Sequence, residues 1–421
     1  MRRVAVTGIG VVSPLGNDAR AFFASLDAGR SGVKRLEGAN FERLTSRVGA
    51  PAAFDAAAHF PAPQLRMLDR VSQLALAAAS QALAEARGAL QGVDPTRAGV
   101  FVGTGMGGAE TTDAGYHTIY AEKSDRVKPM SVLMAMTNAA AAWIGLEHGL
   151  QGPNLTYSTA CSSSAVAIGE AARRIAAGEA DVMIAGGSEA PLTFGTLKAW
   201  DAMRTLAAED PADPAASCKP FAKDRSGLVL GEGAAMVILE DWDRAQARGA
   251  PIRAQLSGYG LTTDSTHITR PSVEGQASAM RRALESAAMS ADEVDYINAH
   301  GTGTQANDGV ETAAIKHVFG ERAYRIPVSS TKSMHGHLLG AAGALEFVAA
   351  LLALEHRRVP PTANLRIPDP ECDLDYVSEG SRPCPGIRTV LSSSFAFGGT
   401  NADEAVAAWG QLLRLQAEIR Q

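Results

Sequence analysis

A cysteine and two distant histidines are the residues of this chain best placed to do chemistry. Cys161 stands in Ser158-Thr159-Ala160-Cys161-Ser162-Ser163-Ser164. His300 stands in Asn298-Ala299-His300-Gly301-Thr302-Gly303-Thr304, and His337 in Lys332-Ser333-Met334-His335-Gly336-His337-Leu338-Leu339-Gly340. Small neighbours leave room for a ligand to reach each functional atom. A thiol with imidazole partners is a nucleophile that can take up an acyl group as a thioester. The extended segment ending at Ala160 and the small-residue helix starting at Ser162 place Cys161 at a strand-to-helix turn. Unpaired N–H groups and the positive end of the helix dipole then face the sulfur. Both favour thiolate, so a lowered thiol pKa is expected. The same N–H groups could hold a developing oxyanion. A solitary cysteine is more often a small buried apolar residue, and Cys218, Cys372 and Cys384 are assigned to that role.

Both histidines follow apolar runs and so sit at strand ends, where open α/β sheets present their chemistry. A single histidine there is usually just a satisfied polar group. Two of them on glycine-rich corners, with a thiol available, favour catalysis. Lys332 could pair with Glu346 on the next helix or supply positive charge near the site. Asp308 and Glu311 read as capping and dipole-compensating residues, and Asn307-Asp308 as an N-cap pair. Thr302 and Thr304 offer hydroxyls suited to an extended ligand with amides. Phe395-Ala396-Phe397-Gly398-Gly399-Thr400-Asn401 reads as a flexible loop whose two rings gate a pocket, with the Phe397 N–H near the thiol. Gly103-Thr104-Gly105-Met106-Gly107-Gly108 follows a strand but lacks the spacing and the downstream acid of a dinucleotide site.

The elements that must position these groups alternate. Strands are expected at 4–10, 99–103, 181–186, 234–239, 254–260, 294–299, 326–329 and 389–394, as near-continuous apolar runs that fit strands covered on both faces. Helices are expected at 69–87, 162–177, 272–288, 307–319 and 340–356. Layers of helix over largely parallel sheet follow. The two halves share one layout, which predicts an internal duplication: residues 1–250 with Cys161, and 251–421 with His300 and His337. Ala247-Arg248-Gly249-Ala250-Pro251 is the connector.

Composition limits the alternatives. A chain of 421 residues with 46% hydrophobic and 20% charged residues is globular and large enough for two core-forming units. The net charge of −6 argues against bulk nucleic-acid binding. Scarce aromatics with plentiful alanine and glycine suit helices packed close to a sheet. The four cysteines form no CxxC pair, which fits a reducing cytosol. Met1-Arg2-Arg3 runs straight into a glycine-punctuated strand without a leader-like apolar stretch, and no run of about 18 apolar residues is evident. A cytoplasmic protein outside the membrane is expected.

These motifs, in order, resemble those of β-ketoacyl-acyl-carrier-protein synthases, as do Gly8–Gly16, Asp224-Arg225-Ser226-Gly227 and Gly231-Glu232-Gly233. The Cys-His-His set resembles the elongating type II subclass; an initiating synthase would carry Asn at position 337. The resemblance implies the thiolase fold, with duplicated βαβαβαββ halves in a five-layered αβαβα arrangement, usually as a homodimer. It implies decarboxylative Claisen condensation of an acyl chain on Cys161 with malonyl-acyl-carrier protein. His300 and His337 would assist decarboxylation, and Lys332 and Glu346 would organise the site. Cys161 and Phe397 N–H groups would form the oxyanion hole. Thr302, Thr304, Phe395, Phe397 and Gly398 would bind or gate the substrate. No metal or redox cofactor is implied, because substrates ride on the phosphopantetheine of the carrier. Acidic carriers call for a basic entrance, and Arg66, Arg70, Arg126 and Lys128 are the candidates. Three departures stand out: His335, which adds an imidazole near the site, Ser394 and Ala396. They leave open an aryl-polyene or polyketide pathway and a heterodimer with a ketosynthase-like partner. A chain-length factor would lack Cys161. A thiolase would use a second cysteine, and Cys384 has no Cys-x-Gly context.

Overall fold

The computed structural model describes residues 1–408, so positions 409–421 of the second expected unit lie outside the described residues. Ten strands form one mixed sheet. In chain order they are β1 (Val4–Val12), β2 (Ala98–Gly103), β3 (Asn154–Tyr157), β4 (Val182–Glu189), β5 (Gly233–Asp241), β6 (Ala254–Thr263), β7 (Tyr296–Asn298), β8 (Val328–Ser329), β9 (Thr389–Phe395) and β10 (Thr400–Ala408). The helices of the repeated pattern are α1 (Arg70–Glu85), α2 (Ala139–His148), α3 (Ser163–Ala176), α4 (Val273–Ala287), α5 (Asp308–Phe319) and α6 (Ala342–His356). The spatial order β8-β7-β9-β10-β6-β1-β5-β4-β2-β3 contains the same arrangement twice. From β1 or from β6 outward, the strands run first, fifth, fourth, second, third. Each half reads βαβαβαββ. The two meet where Val4 pairs with Leu256 and Val6 with Ala254, antiparallel.

The five layers follow from strand alternation. On β5, Ala234, Met236 and Ile238 face the α1 side, while Ala235, Val237 and Leu239 face α3 and α6. On the other half, Val390 and Val406 point to the same central helices, and Leu391 and Ala405 point to α4 and α5. The middle layer of α3 and α6 is therefore shared by both halves. Against the expectation that no run of about 18 apolar residues occurs, the stretch Leu339–His356, containing α6, is among the described residues the one long and apolar enough to cross a membrane, and it is buried as this core.

Two further expectations change. The sheet is not largely parallel: β2–β3, β2–β4, β7–β8 and β7–β9 are parallel, and the other core pairs are antiparallel. The last two strands of each half pair antiparallel, and a buried run reads alike in either direction. The second change is β10, which takes in Thr400 and Asn401 of the expected loop and continues to Ala408, where no strand was expected. Its small residues hide the strand pattern, yet Asn401 through Ala407 are all buried.

Candidate active site

The thiol sits where β3 turns into α3. Ala160, just before it, has φ +51°, a left-handed conformation that costs a non-glycine residue about 1–2 kcal/mol. Hydroxyls hold the turn. Ser163 Oγ donates to the Ala160 carbonyl at 2.6 Å, the Thr159 N–H donates to Ser163 Oγ at 2.9 Å, and Ser162 Oγ donates to the Thr159 carbonyl at 3.0 Å. The helix start also presses on β2. A Cβ on Gly103 would lie 2.2 Å from the Ser164 nitrogen. The glycine-rich stretch 103–108 thus serves close packing. Its next amides, of Gly105 and Met106, donate to Glu189 at 2.6 and 2.9 Å. Glu189 also accepts from Thr104 Oγ1 at 3.1 Å and from the Gly340 N–H at 2.9 Å. This buried carboxyl ties the 103–108 loop to the segment that follows His337. A single acid at the end of an apolar strand gave no sequence signal for that role.

Three elements converge on the sulfur. One ligand atom each of Cys161, His300 and His337 lies within 4.8 Å of the others, and all three residues are buried. His337 is held by its backbone, whose N–H donates to Val229 O at 2.6 Å and whose carbonyl accepts from Gly231 N–H at 2.9 Å. Among the described residues neither nitrogen of its ring has a hydrogen-bond partner. His300 is held from behind: its N–H and that of Gly301 donate to Glu311 at 2.7 and 2.8 Å. Lys332 Nζ donates to the His300 carbonyl at 2.6 Å and lies 3.2 Å from Nδ1. An ammonium can only donate, so Nδ1 accepts and Nε2 carries the proton. Lys332 is also ion-paired with Glu346, and both side chains are fully buried. The two imidazole planes cross at 85° with centroids 5.4 Å apart.

Burial overrides the helix end in the titration of the thiol. Desolvation pushes Cys161 up to about 11, against opposing effects of Lys332 and of hydrogen bonds from the Phe397 and Cys161 N–H groups. The expected thiolate is therefore not the resting form. Burial first, then Lys332, holds His300 and His337 well below the usual imidazole range, so both are neutral; the Nδ1 of His300 is engaged by Lys332, and the ring of His337 is left to accept a proton. Glu311 and Glu346 are each pushed up to about 7 by burial. His335 is not a third imidazole at the sulfur. Its ring bonds within its own turn, Nδ1 to Gly336 O at 2.7 Å and Nε2 to Thr331 Oγ1 at 3.0 Å.

The cavity at Cys161 is about 50 Å³ and is lined by His300, Thr302, Thr304, His337, Phe395 and Phe397 among others. That is far too small for an acyl chain. Thr302 and Thr304 hydroxyls meet at 2.9 Å. Their loop is anchored by buried Arg225, whose Nε donates to Thr304 O at 3.1 Å. Ala396 also lines the cavity, and Ser394 is buried with no partner for its hydroxyl. Gly398 does not line it; its N–H donates to Ile268 O at 2.8 Å. The expected Asn307 cap is not formed, and Asp308 instead accepts from the Phe221 and Gly303 N–H groups at 2.8 and 3.2 Å. The loop 267–271, unmarked by any motif, supplies one wall. A separate cleft of about 980 Å³ holds none of the three reactive residues.

Of the basic candidates, Arg66, Arg126 and Lys128 are exposed. Arg70 is not free. It donates to Phe54 O at 2.9 Å and Ala52 O at 3.0 Å and pairs with Glu232 at 2.9 Å. None of the four lines the Cys161 cavity.

The family model for the Beta-ketoacyl synthase N-terminal domain matches residues 1–245, and that for the C-terminal domain matches 253–366. The chain belongs to the β-ketoacyl synthase family. It is an acyltransferase-type enzyme with the thiolase-like fold of that family. "Nodulation protein E" of Rhizobium meliloti (strain 1021) is 44% identical, over 95% of this chain and 98% of that protein. "3-oxoacyl-[acyl-carrier-protein] synthase 2" of Coxiella burnetii (strain RSA 493 / Nine Mile phase I) is 41% identical, over 95% and 97%. Among solved structures, "The ishigamide ketosynthase/chain length factor" superposes with a TM-score of 0.90 at 33% identity, over 97% of this chain and 99% of that one. The Cys-His-His cluster is thus the candidate active site of a ketosynthase.

Proposed function

We propose that this ketosynthase is a 3-oxoacyl-[acyl-carrier-protein] synthase acting in fatty-acid biosynthesis. The carrying observation is the sulfur of Cys161 beside two neutral imidazoles, with the Phe397 and Cys161 N–H groups directed at it. In the first half-reaction neutral His337, whose ring has no other partner among the described residues, takes the thiol proton as sulfur attacks the acyl thioester. The carrier thiol leaves with a proton, and the acyl group stays on Cys161. In the second, malonyl-carrier protein loses CO₂. His300, through Nε2–H, and His337 stabilise the resulting enolate oxygen. The enolate carbon attacks the Cys161 thioester, the two N–H groups hold the tetrahedral oxyanion, and the Cys161 thiolate departs and is reprotonated. The three ligand atoms are close enough to bind a soft metal ion, but this chemistry calls for none, nor for a redox cofactor.

The partner is an acidic acyl-carrier protein, met by exposed Arg66, Arg126 and Lys128. A homodimer is supported by β3, an edge strand with Asn154 and Leu155 exposed, and by the exposed apolar side chains of Val132, Leu133 and Met136. Such an edge is a template for strand pairing. The described cysteines are all unpaired, which fits the cytoplasm. The relative named as a ketosynthase/chain length factor supports a second reading, a heterodimer in a polyketide or aryl-polyene pathway. Intact-mass analysis after incubation with a panel of acyl-carrier thioesters, with light scattering of the purified chain, tests both. Mass added at Cys161 and a two-copy particle support the first reading. No acylation by any carrier thioester refutes it.

A further inference from the structure

The cavity has a chemical polarity along its length. At the buried end is Cys161, 6% exposed. At the outer end is the exposed loop His267-Ile268-Thr269-Arg270-Pro271. Of the residues lining the cavity, Arg270 is the single Lys, Arg, Asp or Glu. It is exposed, and among the described residues its side chain makes no ion pair or hydrogen bond. The loop that carries it is nonetheless fixed. The Ser272 N–H donates to Asp264 Oδ2 at 3.1 Å, Asn401 Nδ2 donates to Asp264 Oδ1 at 2.7 Å, and Ile268 O accepts from Gly398 N–H at 2.8 Å. A permanent guanidinium on a tethered loop, at the mouth of a thiol-ended cavity, matches a thioester whose far end is anionic.

We propose that Arg270 is a positioning residue that binds the phosphate of the substrate's phosphopantetheine arm. This rests on the carrier-protein reading above and deepens it. The arm's thioester lies at Cys161, its amides pass Thr302 and Thr304, and its phosphodiester lies at Arg270. A carboxylate at this position would repel the same group.

The test compares loading of Cys161, followed by intact mass, from four donors of one acyl group: acyl-pantetheine, acyl-4′-phosphopantetheine, acyl-coenzyme A and acyl-carrier protein. Wild type should load from the phosphorylated arm more efficiently than from pantetheine by about 3- to 5-fold, the range of a partly exposed charge pair, and added salt should erase the difference. Arg270→Ala should abolish that preference while matching wild type on acyl-pantetheine. Arg270→Lys should keep part of it, and KM for the acyl-carrier protein should rise with kcat unchanged. An Arg270→Ala enzyme that retains the phosphate preference would overturn the assignment. So would a defect seen with acyl-coenzyme A but not with the carrier, which would mean that the arginine reads a nucleotide cofactor. Failure of wild type to load from any donor would instead remove the acyl-acceptor reading of Cys161.

Discussion

Lys332 Nζ lies 2.6 Å from the carbonyl oxygen of His300 and 3.2 Å from its ring Nδ1. One buried ammonium therefore fixes the backbone, the tautomer and the charge of the histidine it touches. With Glu346 as its counter-ion, it keeps Nε2–H as the ring's donor. Lys332→Ala should leave Glu346 and the His300 carbonyl buried without their partner. A loss of about 3–5 kcal/mol is expected for breaking a buried pair, read by chemical denaturation. Decarboxylation should fall further than acyl loading, because the donor on the enolate is lost while the thiol remains. Equal losses in both half-reactions would count against the tautomer argument.

Substitution of the nucleophile separates the half-reactions. Cys161→Ala should show no acyl mass and no condensation product. Cys161→Gln should still release CO₂ from malonyl-carrier protein, because His300 and His337 remain. A folded Cys161→Gln variant that releases none would show that the histidines alone do not carry decarboxylation.

The titration of the thiol can be read directly. With the Cys161 pKa pushed up to about 11, the thiolate fraction should rise tenfold per pH unit up to that value. Alkylation of Cys161 by iodoacetamide should therefore accelerate steadily from pH 7 to 9.5. A plateau near pH 7 would mean that the helix terminus outweighs burial.

His335 should make the fold acid-sensitive. Burial lowers its pKa from 6.5 to about 3. The unfolded chain then binds a proton that the native state refuses. Its contribution is fully present above pH 6.5 and is lost as pH falls toward 3. His335→Gln should lower the Tm at pH 8 but flatten its fall between pH 6.5 and 5. An unchanged slope would remove His335 as a cause.

Gly103 is the fulcrum beneath the nucleophile. A methyl group there meets the backbone of Ser163 and Ser164 at 2.4 Å or less. Gly103→Ala should cost about 1–3 kcal/mol by overpacking and slow acyl loading by shifting Cys161. A variant of wild-type activity would show that α3 can retreat without moving the sulfur.

Much of this was legible in the residues. The helix expected at 272–288 is α4 (Val273–Ala287), and that at 162–177 is α3 (Ser163–Ala176). Their boundaries carry local signals, such as Ser272 accepting from Gly275 N–H. The local motifs named Cys161, His300, His337, Lys332, Thr302, Thr304, Phe395 and Phe397, because small residues around a reactive group are visible in one dimension. Strand direction was not visible, since a doubly covered strand shows no alternation to orient it. Glu189 and the 267–271 loop were missed because neither carries a local pattern.

The residue types and their order were enough to determine the reactive atoms, their acyl-transfer chemistry and the layered α/β framework. Only the tertiary structure decided the charge those atoms carry. A helix terminus is a local feature, but desolvation sums over everything packed around the sulfur, and here it leaves the thiol protonated between neutral imidazoles. It likewise engaged Arg70 with Glu232 and left Arg270 at the cavity mouth, because whether a charged side chain is free depends on neighbours far away along the chain.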